Sequence, residues 1–310
     1  MSVEDRKQEQ MARAAWLSFV AGQTQDEIAA QMGISRQSVQ RMVAQAQAAG
    51  LVKVRIDHPF ADCLDLAARL RRQAGLQFCE VVPADARGAG MAIAVADCIE
   101  TWLRRSDPLI AAFGTGRTLR SGVEQMSRVD CAQHRIVSLT GNIATDGSTA
   151  YYNVLFSLSE RVTARSYPLV VPVIASSAAE REALNGQAGI ARVIEMTQAA
   201  SVAFVGIGTI GPDAPLVLDG FLTSAEIETL RSAGAVGEIV GWAYDAEGRL
   251  IDSELMQRVA SPPIPSREST LVIAAAMGAA KHQAIRGALR GGLVNGLITD
   301  TETAEFLLKS

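Results

Sequence analysis

The sequence predicts an α/β protein: a small all-α helix-turn-helix domain over residues 1–57, then a larger Rossmann-like, mostly parallel α/β domain over 58–310. Three observations carry this. Two short amphipathic segments, each with its own capping residue, meet at a glycine between residues 24 and 50. The character of the chain changes at His58-Pro59. Beyond that point apolar runs alternate with helical patterns, several of them through glycine loops, as in a parallel sheet covered by helices.

Residues 11–21 (MARAAWLSFVA) read as a first helix with Met11, Ala15, Leu17 and Phe19 among its apolar residues, stopped at Gly22. Thr24-Gln25-Asp26-Glu27 has the form of a capping box: the threonine hydroxyl accepts from a free amide and the glutamate returns the bond. The helix it starts runs to about Met32, with Ile28, Ala29 and Met32 on one face. Gly33 allows a left-handed turn. Ser35 caps a third helix from Arg36 to about Ala49, whose inner face is Val39, Met42, Val43 and Ala46, and Gly50 closes it. Residues 51–56 (LVKVRI) alternate apolar and basic, as a half-buried strand does.

After a boundary near 57–61, residues 62–75 read as an amphipathic helix and a second helix follows Pro83, around 90–105. Apolar runs at 109–113, 136–139, 169–174, 202–205, 236–242, 271–275 and 293–298 are the expected strands, with helical patterns between most of them. No internal repeat or low-complexity segment interrupts the series.

Composition narrows the function classes. A chain of 310 residues suits a small domain plus a larger one. Hydrophobic residues at 48% and charged residues at 20% exclude a disordered chain. A net charge of −4 excludes a polybasic coat, so any nucleic-acid surface must be local. The four cysteines, Cys63, Cys79, Cys98 and Cys131, contain no close pair. They fit neither a zinc knuckle nor a disulfide framework, and are expected to be buried small residues in a reducing compartment. The N-terminal MSVEDRKQEQ is charged, unlike a signal peptide, and no apolar run reaches the roughly 18 residues of a membrane span. The expected location is the cytoplasm.

The first candidate site is the helix-turn-helix. Ala29 is small where two helices would cross and Ile34 would plug the turn. Arg36, Gln37, Ser38, Gln40 and Arg41 then point outward near the start of the third helix, where a recognition helix enters the major groove. Arginine suits guanine, glutamine suits adenine, and serine with helix-terminal amides suits phosphate. Thr24 and Ser35, at the two helix starts, complete the candidate DNA-facing set. Residues 36–56 contain Arg36, Arg41, Lys53 and Arg55 and no acid. The alternative is an ordinary helical hairpin with a solvated polar face.

The second candidate site is a set of loops after strands. Gly114-Thr115-Gly116-Arg117-Thr118 lies between an apolar run and a helical pattern, where backbone amides, a helix dipole and three side-chain donors suit an anion. It could equally be a tight turn without a ligand, and no Gly-Lys-Ser/Thr makes it a P-loop. Gly206-Ile207-Gly208-Thr209-Ile210-Gly211 is a literal GxGxxG, but Pro212 and Pro215 follow where a dinucleotide loop needs a helix, so no nicotinamide or flavin is expected. Lys281 is expected at the start of a helix after a strand, either meeting a phosphate or carboxylate or simply solvated. His58, His134 and His282 have no catalytic partner nearby in sequence, and neither a GxSxG elbow nor HExxH is present. No catalytic residue, metal or cofactor is expected.

RAAWLSFVAGQTQDEIAAQMGISRQSVQRMVAQAQAAGLVKVRI resembles the N-terminus of the SorC family of bacterial sugar-responsive transcriptional regulators. FGTGRTL, YYNV, YPLVVPVIASS, FVGIGTIGP, GFLTSAEIETLRSAGAVGEIVGWAYDAEG and KHQAIRGALRGGLVNGLITD resemble that family's effector domain, so the resemblance runs from about residue 11 to 308. It implies the fold of glucosamine-6-phosphate deaminase and ribose-5-phosphate isomerase, operator DNA as a partner, a small sugar, polyol or sugar-phosphate effector, and a homotetramer built as a dimer of dimers. It also implies a ligand phosphate at Gly114–Thr118 and Lys281, with the sugar end facing Gly141, Asn142, Gly206, Gly208 and Glu238. Two departures stand out. Met277 is bulkier than the glycine often found before the lysine helix, which implies an altered phosphate pocket or an unphosphorylated ligand. No acid-glycine-histidine run follows the GIG loop, so ring opening by the deaminase route lacks its base.

The expectation is a transcriptional regulator of carbohydrate metabolism. A sugar-phosphate enzyme would share the fold, with Glu238, Asp245 and Asp146 as its available acids. A pure assembly module is the third possibility.

Overall fold

The computed structural model describes residues 3–52, 59–85, 87–144, 147–149 and 153–309. The chain divides into two compact units, Met1–His58 and Pro59–Ser310.

The first unit contains α1 (Val3–Phe19), α2 (Gln25–Met32) and α3 (Arg36–Ala48). The sequence pattern started α1 at residue 11, but the helix begins at Val3, because VEDRKQEQ consists largely of good helix formers without an apolar stripe to reveal them. The capping box at α2 is complete: the Thr24 amide donates to Glu27 Oε2 at 2.7 Å and the Thr24 side chain accepts from the Glu27 amide. Gly33 follows at φ 69, a conformation that suits glycine, and Ser35 Oγ accepts from the Ser38 amide at 3.2 Å to start α3. Leu17, Ile28 and Val39 form the centre, with Ala29, Met32, Ile34 and Val43 packed around them. Phe19, read as one of the apolar residues of α1, is 44% exposed. Leu51 and Val52 form no regular element, and the rest of the strand expected at 51–56 lies outside the described residues.

The second unit runs α4 (Pro59–Ala74), β1 (Phe78–Val82), α5 (Ala89–Leu103), β2 (Ile110–Phe113), α6 (Arg117–Gln125), β3 (Arg135–Ile143), α7 (Val154–Ser159) and β4 (Arg165–Pro172). It continues through α8 (Ala178–Asn185), α9 (Ala188–Gln198), β5 (Val202–Gly206), β6 (Gly208–Thr209), α10 (Pro215–Leu218) and α11 (Ser224–Ser232). The last elements are β7 (Gly237–Ile239), β8 (Trp242–Tyr244), β9 (Leu271–Ala275), α12 (His282–Arg290), β10 (Gly296–Asp300) and α13 (Thr301–Leu308). Seven strands form a parallel sheet in the order β1-β10-β9-β5-β2-β3-β4. Both faces are covered. Ala112, Val137, Ala203, Val205 and Val272 pack with α4, α9 and α12 residues, while Phe113, Ile136, Phe204 and Ile273 pack with α5 and α6 residues. That two-sided burial is why these strands read as continuous apolar runs rather than alternating ones.

The apolar run at 236–242 is the exception. It does not enter the main sheet but folds as the β7–β8 hairpin of a separate antiparallel sheet, β6-β7-β8. Val240 and Gly241 make a two-residue turn with φ 49 and 91, and this primed turn geometry closes the hairpin. Elements without an announcing pattern include β1, a five-residue strand carrying Glu80, the two-residue β6 in the stretch read as a glycine loop, and α13, capped by Asp300 at its start. Burial pushes the thiols of Cys79 and Cys98 up to about 12, in keeping with cysteines that serve as packing residues.

Strand order reverses between β2 and β5: the chain steps outward from β2 to β3 and β4, then returns past β2 to β5 and onward to β9 and β10. Open α/β sheets leave a crevice at the carboxyl ends of the strands at such a point.

Candidate functional site

Two surfaces carry the candidate residues, one on each unit. On α3, Arg36, Gln37, Gln40 and Arg41 are exposed and Ser38 is half-buried. Arg36 Nη1 lies 3.3 Å from Asp26 Oδ2, with both side chains well exposed. Such a pair is worth about 0–1 kcal/mol, so a phosphate can displace Asp26. Thr24, Ser35 and Ser38 are spent on helix starts: Thr24 in the capping box, and Ser35 bonded to Ser38 through both the amide and the hydroxyl, the latter at 2.9 Å. What remains free to face a groove is a short run of arginine and glutamine.

In the second unit a cavity of about 70 Å³ opens at the carboxyl ends of β2 and β5. Thr115, Gly206, Gly208 and Glu238, named from sequence, stand on its wall, together with Thr140, Asp219 and an apolar lining that includes Leu216 and Phe221. At Gly208 a β-carbon would overlap the Glu238 carboxylate across the β6–β7 pairing, so the glycine lets that side chain lie where it does. Val240, on the hairpin turn, packs a methyl 3.1 Å from where a β-carbon of Gly114 would lie.

Glu238 Oε2 accepts the Gly241 amide at 2.8 Å, which fixes the carboxylate against its own turn. Burial raises its pKa, with the Gly241 bond and Lys281 opposing. Burial lowers the pKa of Lys281, opposed by Glu238 and reinforced by Arg117. The two groups therefore sit near enough to feel one another's charge. Burial likewise raises the pKa of Asp219, with Arg117 opposing.

Other expected members of the site fall differently. The Gly114 amide is committed to the sheet, donating to the Phe204 carbonyl at 2.8 Å. Gly116 precedes α6 at φ 130, Arg117 is exposed and Thr118 is half-buried in the first turn of α6. Gly141 and Asn142 are not on the cavity wall. A β-carbon at Gly141 would overlap the Val171 and Pro172 carbonyls, so close approach of β3 and β4 accounts for that glycine. Asn142 is 7% exposed and its Oδ1 finds no partner among the described residues.

Met277 does not enter the cavity. Its methyl lies 2.6 Å from where a β-carbon of Gly88 would stand, and the side chain joins the apolar cluster of α5. Asp219 was missed from sequence, because VLDG has no motif and only the fold brings it to the same cavity as Thr115 and Glu238. The acids weighed for an enzyme do not assemble. Asp245 Oδ1 holds a turn through the amides of Glu247 and Arg249 at 3.0 and 2.8 Å, and Asp146 lies outside the described residues. His134 Nδ1 accepts the Leu109 amide at 3.2 Å, and His282 stacks on Phe306 with ring centroids 4.1 Å apart. Among the described residues no cluster of histidine, cysteine and carboxylate could hold a metal, and no helix is long and apolar enough to cross a membrane.

A helix-turn-helix unit joined to an α/β unit with a cavity at its strand ends defines a ligand-responsive DNA-binding regulator. The chain belongs to the SorC family of sugar-responsive transcriptional regulators. Residues 58–309 match the Sugar-bind family of sugar-binding domains, and residues 14–59 match the MarR family. The erythritol catabolism regulatory protein EryD of Brucella abortus is 35% identical over 301 residues, covering 96% of this chain and 95% of that protein. The transcriptional regulator LsrR of Escherichia coli K12 is 31% identical over 312 residues, covering 98% and 96%. The full-length sorbitol operon regulator SorC of Klebsiella pneumoniae superposes with a TM-score of 0.74 at 25% identity, covering 97% of this chain and 99% of that one. These relatives are transcriptional regulators and not enzymes, so the chain is a regulator of that kind.

Proposed function

We propose that residues 1–57 read an operator through α3 and that residues 58–310 bind a small carbohydrate effector in the cavity between the ends of β2 and β5. The observation that carries this reading is the convergence of Thr115, the Gly206–Gly208 stretch and Glu238, from three separate parts of the sequence, on one cavity at the point where strand order reverses. The effector binds two conformations of the protein unequally and so changes operator affinity, and DNA changes effector affinity by the same factor. Its class is a sugar, polyol or sugar phosphate, and erythritol is the natural first probe, given the 35% identity to EryD. The protein works in the cytoplasm as a homotetramer, a dimer of dimers, so that paired recognition helices meet paired half-sites.

The test is fluorescence anisotropy with DNA fragments flanking the protein's own gene, over a series of salt concentrations. Replacing Arg36 and Arg41 together by alanine is expected to weaken binding about tenfold or more and to flatten the salt dependence by roughly one unit of slope per lost phosphate contact. Unchanged affinity with an unchanged slope removes α3 from the interface.

A further inference from the structure

The cavity wall carries two carboxylates, Asp219 and Glu238, and among the described residues lining it there is no lysine or arginine. Arg117 and Lys281, the cations that a phosphate would need, are not among the residues of that wall: Arg117 is exposed and Lys281 half-buried. Arg117 lies within electrostatic reach of Asp219, and Lys281 within reach of Glu238. The Gly114 amide, one of the expected anion donors, is used by the sheet.

A phosphate dianion brings only acceptors and negative charge. Against Asp219 and Glu238 it meets acceptors and like charge, in a small enclosure where repulsion is weakly screened. A hydroxyl group brings a donor, and an O–H bond to a carboxylate is among the stronger hydrogen bonds. Thr115 and Thr140 add hydroxyls, while Leu216 and Phe221 offer apolar surface to the C–H side of a carbon chain.

We propose that the effector is an uncharged polyhydric alcohol or sugar, not a sugar phosphate, and that Asp219 and Glu238 each accept a hydroxyl hydrogen bond from it. This rests on the reading that the cavity is the effector site. Asp219 is then the residue that selects against phosphate, and it acts by charge rather than by size.

Calorimetric titration of the full-length chain with erythritol, ribitol and sorbitol, and separately with erythrose 4-phosphate and ribose 5-phosphate, tests it. At least one neutral compound is expected to bind and the phosphates are not. Asp219→Asn is expected to weaken the neutral ligand about tenfold or more, and Glu238→Gln to do the same. For a phosphate the sign reverses, since removing a negative charge tightens binding in a salt-dependent way. A phosphate that outbinds the neutral compounds on the unsubstituted chain, or a neutral ligand that Asp219→Asn leaves undiminished, overturns the assignment. Thr115→Phe separates the two levels of the argument. Phosphate binding lost in Thr115→Phe overturns neutrality and keeps the cavity. Binding undiminished in Thr115→Phe, or no binding by any compound, removes the cavity as the site. The unliganded melting temperature of each variant controls for folding.

Discussion

The N-terminal unit holds three helices together around Leu17, Ile28 and Val39, whereas the C-terminal unit covers both faces of seven strands with two extensive apolar clusters. The first has little to lose and the second a great deal. Function is distributed in the opposite sense. The recognition face is a contiguous run, Arg36 to Arg41, displayed by one helix. The cavity is assembled from Thr115, Thr140, Gly206, Asp219 and Glu238, spread over more than a hundred positions and brought together only by strand order. A small unit can afford a simple display; a composite pocket needs a rigid sheet behind it.

That contrast can be broken from the core outward. Ile28→Ala should have the largest effect, about 2–5 kcal/mol, because the side chain is fully buried and few neighbours can collapse into the void. Circular dichroism should show loss of the helical unit and of DNA binding, while the melting of the α/β unit and its response to effector stay unchanged. A single cooperative transition shifted as a whole would show that the two units do not fold separately. Thr24→Ala tests the local layer. Removing the capping box at α2 should cost about 1 kcal/mol, read as a lower midpoint for the first unit alone.

The smallest effect belongs to the cavity. Burial raises the Glu238 pKa above 4.5, so the folded state keeps its proton to a higher pH than the unfolded state does. Stability from this group is therefore fullest below the ordinary carboxylate range and falls as pH rises from about 4.5 through the raised value. Urea denaturation of wild type and Glu238→Gln across that window should show the wild type losing ground to the variant as pH rises. Parallel curves would mean that Glu238 titrates normally.

Legibility followed the same division. Thr24, Gly33 and Ser35 have one-residue jobs with strong local rules, and the sequence shows them at the right places. The central strands were visible because both faces are buried. The hairpin at 237–244 was not, since its apolar run looks like a sheet strand until the left-handed turn at Val240-Gly241 is known. The glycine loops were read from the residues and Glu238 was named through family resemblance; of that set Thr115, Gly206, Gly208 and Glu238 share one cavity wall, whereas Gly114, Gly116, Arg117, Thr118, Gly141, Asn142 and Lys281 are not on it. Asp219 gave no signal, because a lone aspartate after an apolar helix usually ends that helix and nothing more. Met277 looked like an intruder in the pocket; tertiary packing turns it toward Gly88 instead.

The turn at Val240 bears on anyone who would make a sturdy biosensor from this chain. A β-branched residue at φ 49 is uncomfortable by roughly 1–3 kcal/mol, and asparagine or glycine is the usual occupant of such a turn. Installing either would return part of that energy as heat tolerance. It would also strip the methyls that close the cavity beside Gly114. The more durable sensor would be the less discriminating one, so thermostability and selectivity have to be screened together at this position.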